Sequence, residues 1–161
     1  MKFYNIKDDF IAFMRQFDSK VAENKNQTRP YVGIVLEVNS IKYYAPFSSP
    51  KAKHKKMKNG KDFRKINNGI YGAINFNNMI PVLDSALVEI DIANIQDVQY
   101  RRLLQNQYNS IKADEKKILK TAQNLRQLIF EDESNISEHD KIIKQRCCNL
   151  PLLEEKYSEW K

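Results

Sequence analysis

Apolar and polar residues alternate from Lys2 to Ile6, the period of a half-buried strand. From Asp9 the period lengthens. Phe10, Ile11, Phe13, Met14, Phe17 and Val21 recur at helical spacing and predict a helix with one face on the core. Glu23 to Arg29 carries no apolar side chain and predicts a mobile, structureless loop. Tyr31 to Val38 and Ile41 to Phe47 are β-rich runs separated only by Asn39-Ser40, the signature of a two-residue hairpin turn. Further short strands are expected over Ile70 to Phe76, Met79 to Leu83 and Ala86 to Ile92, with Pro81 placing its strand at an edge or a bulge. Past Asp97, Tyr100, Leu103, Leu104, Tyr108, Ile111, Ile118, Leu119, Ala122, Leu125 and Ile129 mark a long helix near 97–130, kinked around Ala113 to Glu115. An acidic linker, Glu131 to Glu138, leads to two short helices, one around His139 to Cys147 and one with Pro151 at its first position.

This order predicts an α+β fold of about six short strands interrupted and then covered by helices. The early connections are too short for parallel crossovers, so the strands are expected to pair antiparallel, in a small, strongly twisted barrel. No internal repeat is evident, and 161 residues at 42% hydrophobic suffice for a single domain spanning 1–161. There is no apolar run of about eighteen residues to cross a membrane. The N-terminus lacks the apolar core of a signal peptide, which makes the cytoplasm the expected compartment.

Charge changes the picture. The chain carries a net +7, and the whole excess lies between Lys51 and Lys65. That segment holds Lys51, Lys53, Lys55, Lys56, Lys58, Lys61, Arg64 and Lys65 against Asp62 alone, while the rest of the chain balances. Many lysine runs are merely solvated faces. One that concentrates an entire charge imbalance suits a phosphate backbone, where neutralising several phosphates together releases condensed counterions. A membrane surface would call for interleaved apolar residues, and only Ala52 and Met57 qualify. Tyr31, Tyr43, Tyr44 and Phe47 stand near the run and could stack on bases, although strand aromatics commonly belong to the core.

Ser48-Ser49-Pro50-Lys51 leads into the basic run. Serine as N-cap, proline at the first helical position and Gly60 as the stop describe a short helix. The same helix start presents unpaired N–H groups to a phosphate, with Ser48, Ser49 and Lys51 around it. The adjacent Cys147 and Cys148 read as reduced, partly buried thiols, and with only His54 and His139 besides there is no spacing suited to a metal. No metal or other cofactor is expected. His54 is either an exposed residue of the basic helix or a participant in proton transfer.

Lys2-Phe3-Tyr4, Phe17-Asp18-Ser19-Lys20-Val21, Tyr31-Val32-Gly33-Ile34-Val35-Leu36 and Tyr44-Ala45-Pro46-Phe47-Ser48-Ser49-Pro50-Lys51 together resemble the endoribonuclease toxins of type III toxin–antitoxin systems, the ToxN, CptN and AbiQ group. Gly72 to Phe76, Met79 to Val82 and Leu152 to Tyr157 extend the resemblance in order along the chain. It implies an SH3-like barrel similar to the MazF and Kid toxins, and metal-independent cleavage in which the RNA 2′-hydroxyl attacks the adjacent phosphate. The products are then a 2′,3′-cyclic phosphate and a 5′-hydroxyl. The family's hydroxyl pair and lysine fall on Ser48, Ser49 and Lys51, and a second family lysine falls on Arg29, which can clamp a phosphate but cannot serve as a base. The family's helix tyrosine falls on Phe10, which has no hydroxyl. The implied partners are cellular or phage RNA and a repeat-derived pseudoknot antitoxin RNA, cut by the toxin and closed with it into a ring. The rival expectation is a non-catalytic RNA- or DNA-binding module, in which the same residues only cap and anchor.

Neutralising Lys53, Lys55, Lys56 and Lys58 together is expected to weaken RNA binding and to lower its log–log salt slope by about 0.7 to 0.9 for each phosphate that is no longer neutralised. An unchanged slope would place these lysines in solvent, away from the RNA.

Overall fold

The computed structural model describes all 161 residues. Strand β1 (Lys2–Ile6) and helix α1 (Asp8–Arg15) open the chain, followed by the hairpin β2 (Tyr31–Val38) and β3 (Ile41–Ser48). Asn39 and Ser40 take φ of 51° and 65°, so the expected two-residue turn is present with both residues left-handed, the twist that suits adjacent strands. Val38 faces Ile41 across it. Then come α2 (Ala52–Lys56), β4 (Phe63–Lys65), β5 (Ala73–Asn75), β6 (Ile80–Pro81) and β7 (Leu87–Glu89). These later strands are shorter than the sequence suggests, because 3-10 turns at Asn67–Gly69, Phe76–Asn78 and Asp84–Ala86 take up their ends.

All seven strands join one antiparallel sheet along the open path β4-β5-β3-β2-β1-β7, with β6 added to β3. The fold is therefore α+β and antiparallel, as expected, with seven strands in place of about six. β3 is the hub. One edge pairs with β2 along its length, and the other is shared between β6 at Tyr43 and Tyr44 and β5 at Phe47 and Ser48.

The long helix is two, α3 (Val98–Ala113) and α4 (Glu115–Phe130), broken at Asp114 where the sequence places the kink. Asp97 caps α3 by accepting from the Tyr100 N–H. Helices α5 (Glu138–Arg146) and α6 (Leu150–Lys156) close the chain. Asn149 caps α6 through the Leu152 N–H, and Pro151 stands second in that helix, one place later than expected. No helix is long and apolar enough to cross a membrane.

One apolar cluster of 31 buried residues runs from Phe3 on β1 to Leu153 on α6. It absorbs Tyr31, Tyr43, Tyr44 and Phe47, which settles their role as core, and also Phe10, packed edge-on against Trp160 at 5.3 Å. Cys147 and Cys148 are fully buried free thiols, and burial pushes Cys147 up to about 12, so neither is a ready nucleophile.

Candidate active-site cleft

The antiparallel register assembles the site. Ser48 ends β3 opposite Ala73 of β5, while the Phe47 N–H donates to the Pro30 carbonyl at 3.2 Å. The end of the 23–29 loop is thus brought beside the serine pair. That loop is not structureless. Lys25, Asn26 and Gln27 are all left-handed, and the Thr28 and Arg29 N–H groups donate back to the Asn24 carbonyl at 3.1 and 3.3 Å. The buried Asn24 side chain donates to the Ile6 carbonyl at 2.7 Å and to Asp8 Oδ1 at 2.6 Å, tying the turn to β1 and α1. Arg29 leaves the turn half-buried, its Nε donating to the Glu23 carbonyl at 2.6 Å.

Behind the serines, Gln107 of α3 is buried and donates through Nε2 to the Tyr71 carbonyl at 2.9 Å and, more weakly, to the Ser48 carbonyl at 3.5 Å. The Ile66–Gly72 turn presses on the same backbone. A Cβ on Gly72 would come within 1.8 Å of the Ser48 carbonyl oxygen, and one on Gly69 within 2.7 Å of His54's. Both glycines also have positive φ, 96° and 88°, so the backbone fold as well as the space demands them.

Helix α2 departs from expectation. Ser48 still belongs to the strand, and Ser49-Pro50 make the exit from it, so the N-cap falls on Lys51 and not on Ser49. Met57 ends the helix, well short of Gly60. The capping acceptor is His54: its Nδ1 accepts the Lys51 N–H at 3.1 Å, and its own backbone N–H donates to the Lys51 carbonyl at 2.9 Å. The bond to Nδ1 puts the imidazole proton on Nε2. His54 is 2% exposed, which overturns the reading of an exposed residue in a basic helix. Burial, reinforced by the charges of Lys53 and Lys51, holds it below its ordinary value, so the ring is neutral near pH 7.

These elements enclose a cleft of about 720 Å³ lined by Ser48, Ser49, Lys51, Lys53, His54 and Arg29. Lys25 and Arg146 add to its bases, against Asp62 as the one acid. Ser49, Lys51 and Lys53 are exposed. The remaining expected RNA contacts lie elsewhere. Lys55, Lys56 and Lys58 point to solvent outside the lining. Lys61 is paired with Asp140 at 2.6 Å and Arg64 with Asp114 at 2.8 Å, while the Lys65 backbone is tied to Asn59 at 2.7 Å. Tyr31 departs from its expected place, since it is fully buried in the core and cannot stack on a base from there.

Thr28, Asn75, Asn77, Tyr100, Gln107 and Arg146 also line the cleft, and no motif in the sequence marks them as part of a site. Tyr100, Leu104 and Gln107 do stand at helical spacing on one face of α3, but nothing local says which surface that face meets. No cluster of three His, Cys, Asp or Glu side chains comes together as a metal ligand set.

Residues 2–158 match the model of the ToxN toxin family of type III toxin–antitoxin systems. The chain is 33% identical to the endoribonuclease ToxN of Pectobacterium atrosepticum, over 99% of this chain and 94% of that protein. It is also similar, with a TM-score of 0.86 and 32% identity, to a solved type III toxin–antitoxin structure concerned with selective toxin inhibition by a non-coding RNA pseudoknot, covering 98% of this chain and 96% of that one. A second solved structure, of a bacterial antiviral system regulated by a processed non-coding RNA, matches with a TM-score of 0.82 and 31% identity over 99% of each chain.

Because His54 is held below its ordinary value of 6.5, the unfolded chain binds its proton more readily than the folded one, and stability falls as pH drops through that value. A His54→Asn variant can still accept the Lys51 N–H but does not titrate. Chemical denaturation between about pH 7.5 and 5.5 should therefore show wild type losing stability that the variant keeps, after allowance for what both lose in common. Parallel profiles would mean that His54 titrates alike in both states.

Proposed function

The chain belongs to the ToxN toxin family of type III toxin–antitoxin systems, and on that footing we propose that it is a metal-independent endoribonuclease whose active site is the cleft at the end of β3. One observation supports this reading: Ser48, Ser49 and Lys51 from the end of β3 and Arg29 from the preceding loop line one basic cleft. The chain acts as a single domain, in the cytoplasm. We read its sheet as a small SH3-like barrel of the MazF and Kid kind, a reading supported by β3 carrying partners on both edges.

In the proposed reaction the 2′-oxygen attacks the adjacent phosphorus. Its proton passes to solvent water as the P–O5′ bond breaks and the departing oxygen is protonated, giving a 2′,3′-cyclic phosphate and a 5′-hydroxyl. Lys51 supplies positive charge to the phosphorane and the proton for the leaving oxygen. Ser49 and Ser48 orient the 2′-oxygen, and Arg29 holds a phosphate oxygen through the donors that Glu23 leaves free. His54 acts first on Lys51, through the bond to its backbone. Its protonated Nε2 can donate a hydrogen bond but cannot accept the 2′-proton.

The substrates are cellular or phage RNA. The inhibitor is a pseudoknot RNA cut from a repeat precursor, each unit filling the cleft of a toxin in a closed ring. Support comes from the relatives described as inhibited by an RNA pseudoknot and regulated by a processed RNA. Lys53 at the cleft and Lys55, Lys56 and Lys58 on the exposed surface beside it hold the flanking strand, a reading supported by their charge and exposure.

Ser49→Ala and Lys51→Ala are each expected to lower cleavage on the order of a hundredfold or more while the protein stays folded. Neither residue is part of the core, so circular dichroism and thermal midpoint should remain near wild type. Full cleavage in either variant would remove that residue from the site.

Cleavage should also persist in excess chelator and stop when the scissile nucleotide carries 2′-deoxy or 2′-O-methyl ribose. A downstream fragment bearing a 5′-phosphate would instead indicate attack by water and sink the proposed mechanism.

A further inference from the structure

Arg146 is the last residue of α5, far in sequence from the serines and lysines of the cleft it lines. Its Nε donates to Asp62 Oδ2 at 2.5 Å and its Nη2 to Asp62 Oδ1 at 2.8 Å, a side-on bidentate pair. The two partners are placed very differently. The Asp62 side chain is 5% exposed, whereas that of Arg146 is 52% exposed. The carboxylate is thus sunk into the wall, with the guanidinium on its solvent side. Two of five N–H donors are used, and no other protein acceptor meets the rest.

The other bidentate arginine pair gives the contrast. Arg126 binds Glu154 through Nε at 2.9 Å and Nη2 at 3.1 Å, reaches the Tyr43 hydroxyl and lies 4.0 Å over the Phe130 ring, with both members of the pair largely covered. That is a cation used up by the fold. Arg146 has the same anchor and a free outer edge.

The anchor is also braced. The Asn77 N–H donates to the Asp62 carbonyl at 3.1 Å, and the Cys148 N–H donates to the Asn77 carbonyl at 2.9 Å. Asp62, the 76–78 turn and the end of α5 therefore hold one another in place. A guanidinium oriented this way has little rotamer freedom left to lose on binding, and its planar fork matches a phosphate.

We propose that Arg146, oriented by Asp62, is a phosphate-binding residue of the cleft that grips the single-stranded RNA backbone from the end of α5. The inference rests on the reading of this cleft as the RNA site. It also gives the cleft's only acid a purpose. Asp62 does not cancel the attraction for RNA but aims an otherwise flexible cation into the groove.

The test is the salt dependence of binding to a single-stranded RNA oligonucleotide blocked by 2′-O-methyl groups, measured with thermal stability for Arg146→Gln, Arg146→Lys and the double variant Asp62→Asn/Arg146→Gln. Without the guanidinium on the phosphate, the log–log slope should fall by about 0.7 in Arg146→Gln and in the double variant, while Arg146→Lys keeps it. The double variant removes the buried carboxylate with its partner, so it remains readable if Arg146→Gln alone is too unstable. An unchanged slope, whether or not the thermal midpoint falls, would reduce Arg146 to a counter-ion for Asp62 and overturn the proposal. Lys51→Ala in the same assay separates the two readings. If its slope falls while that of Arg146→Gln does not, only Arg146 leaves the site; if neither falls, the cleft itself is not where RNA binds.

Discussion

Everything at the cleft hangs on the pairing of β3. The strand is bonded to β2 on one side and to β6 and then β5 on the other, so its register is set from both edges. Tyr43, Tyr44, Ala45, Pro46 and Phe47 are buried in succession, which means that both faces of the strand are covered. A slip by one residue would exchange the faces of every one of these side chains and carry Ser48 away from Ala73 and from the Pro30 backbone. The serine pair is therefore held by the most constrained strand in the protein while standing just outside its core, a combination that fixes the two hydroxyls in position and leaves them accessible. Gln107 and Gly72 act on the same point from α3 and from the 66–72 turn, one by hydrogen bonds and the other by leaving room for close approach.

The basic segment obeys a second constraint. Eight bases in fifteen residues would repel one another and favour an extended, solvated chain. Ion pairs from distant helices pin it: Lys61 to Asp140, Asp62 to Arg146 and Arg64 to Asp114. The first reaches in from an exposed lysine, whose screening by water and side-chain freedom leave such a pair weak. The pairs at Asp62 and Arg64 matter more through the cost of leaving a covered charge alone. The result divides the segment by role. Its later residues attach it to the helical layer, while Lys51 and Lys53 remain free in the cleft and Lys55, Lys56 and Lys58 face solvent.

The chemistry is shaped as much by what burial removes as by what it brings together. The thiols are pushed out of the reactive range, and His54 is kept neutral with Nδ1 engaged by the Lys51 backbone. Tyr31, despite its place next to Arg29-Pro30, is closed within the core. The groups left open are hydroxyls, amides and basic side chains, a set suited to positioning a phosphate and stabilising charge upon it.

Local pattern carried the antiparallel α+β class, the hairpin at Asn39-Ser40, the break near Asp114, the helices of the C-terminal third and the grouping of Ser48, Ser49 and Lys51, because periodicity, turn chemistry and nearness in sequence are written in consecutive residues. It stopped short wherever a residue's part depends on a distant partner. The cap of α2 moved to Lys51 because β5 holds Ser48 in the strand, and His54 became a buried acceptor because Gly69 lets another turn pack against it. Tyr31 turned inward at the start of a strand that the assembled sheet and helices cover on both faces, and Lys61 and Arg64 found acids that lie 79 and 50 residues away. Sequence by itself determined which residues could hold a phosphate. Tertiary structure decided which of them face the same cleft, since hydrogen-bond register and charge pairing across long separations have no signature in any one stretch of the chain.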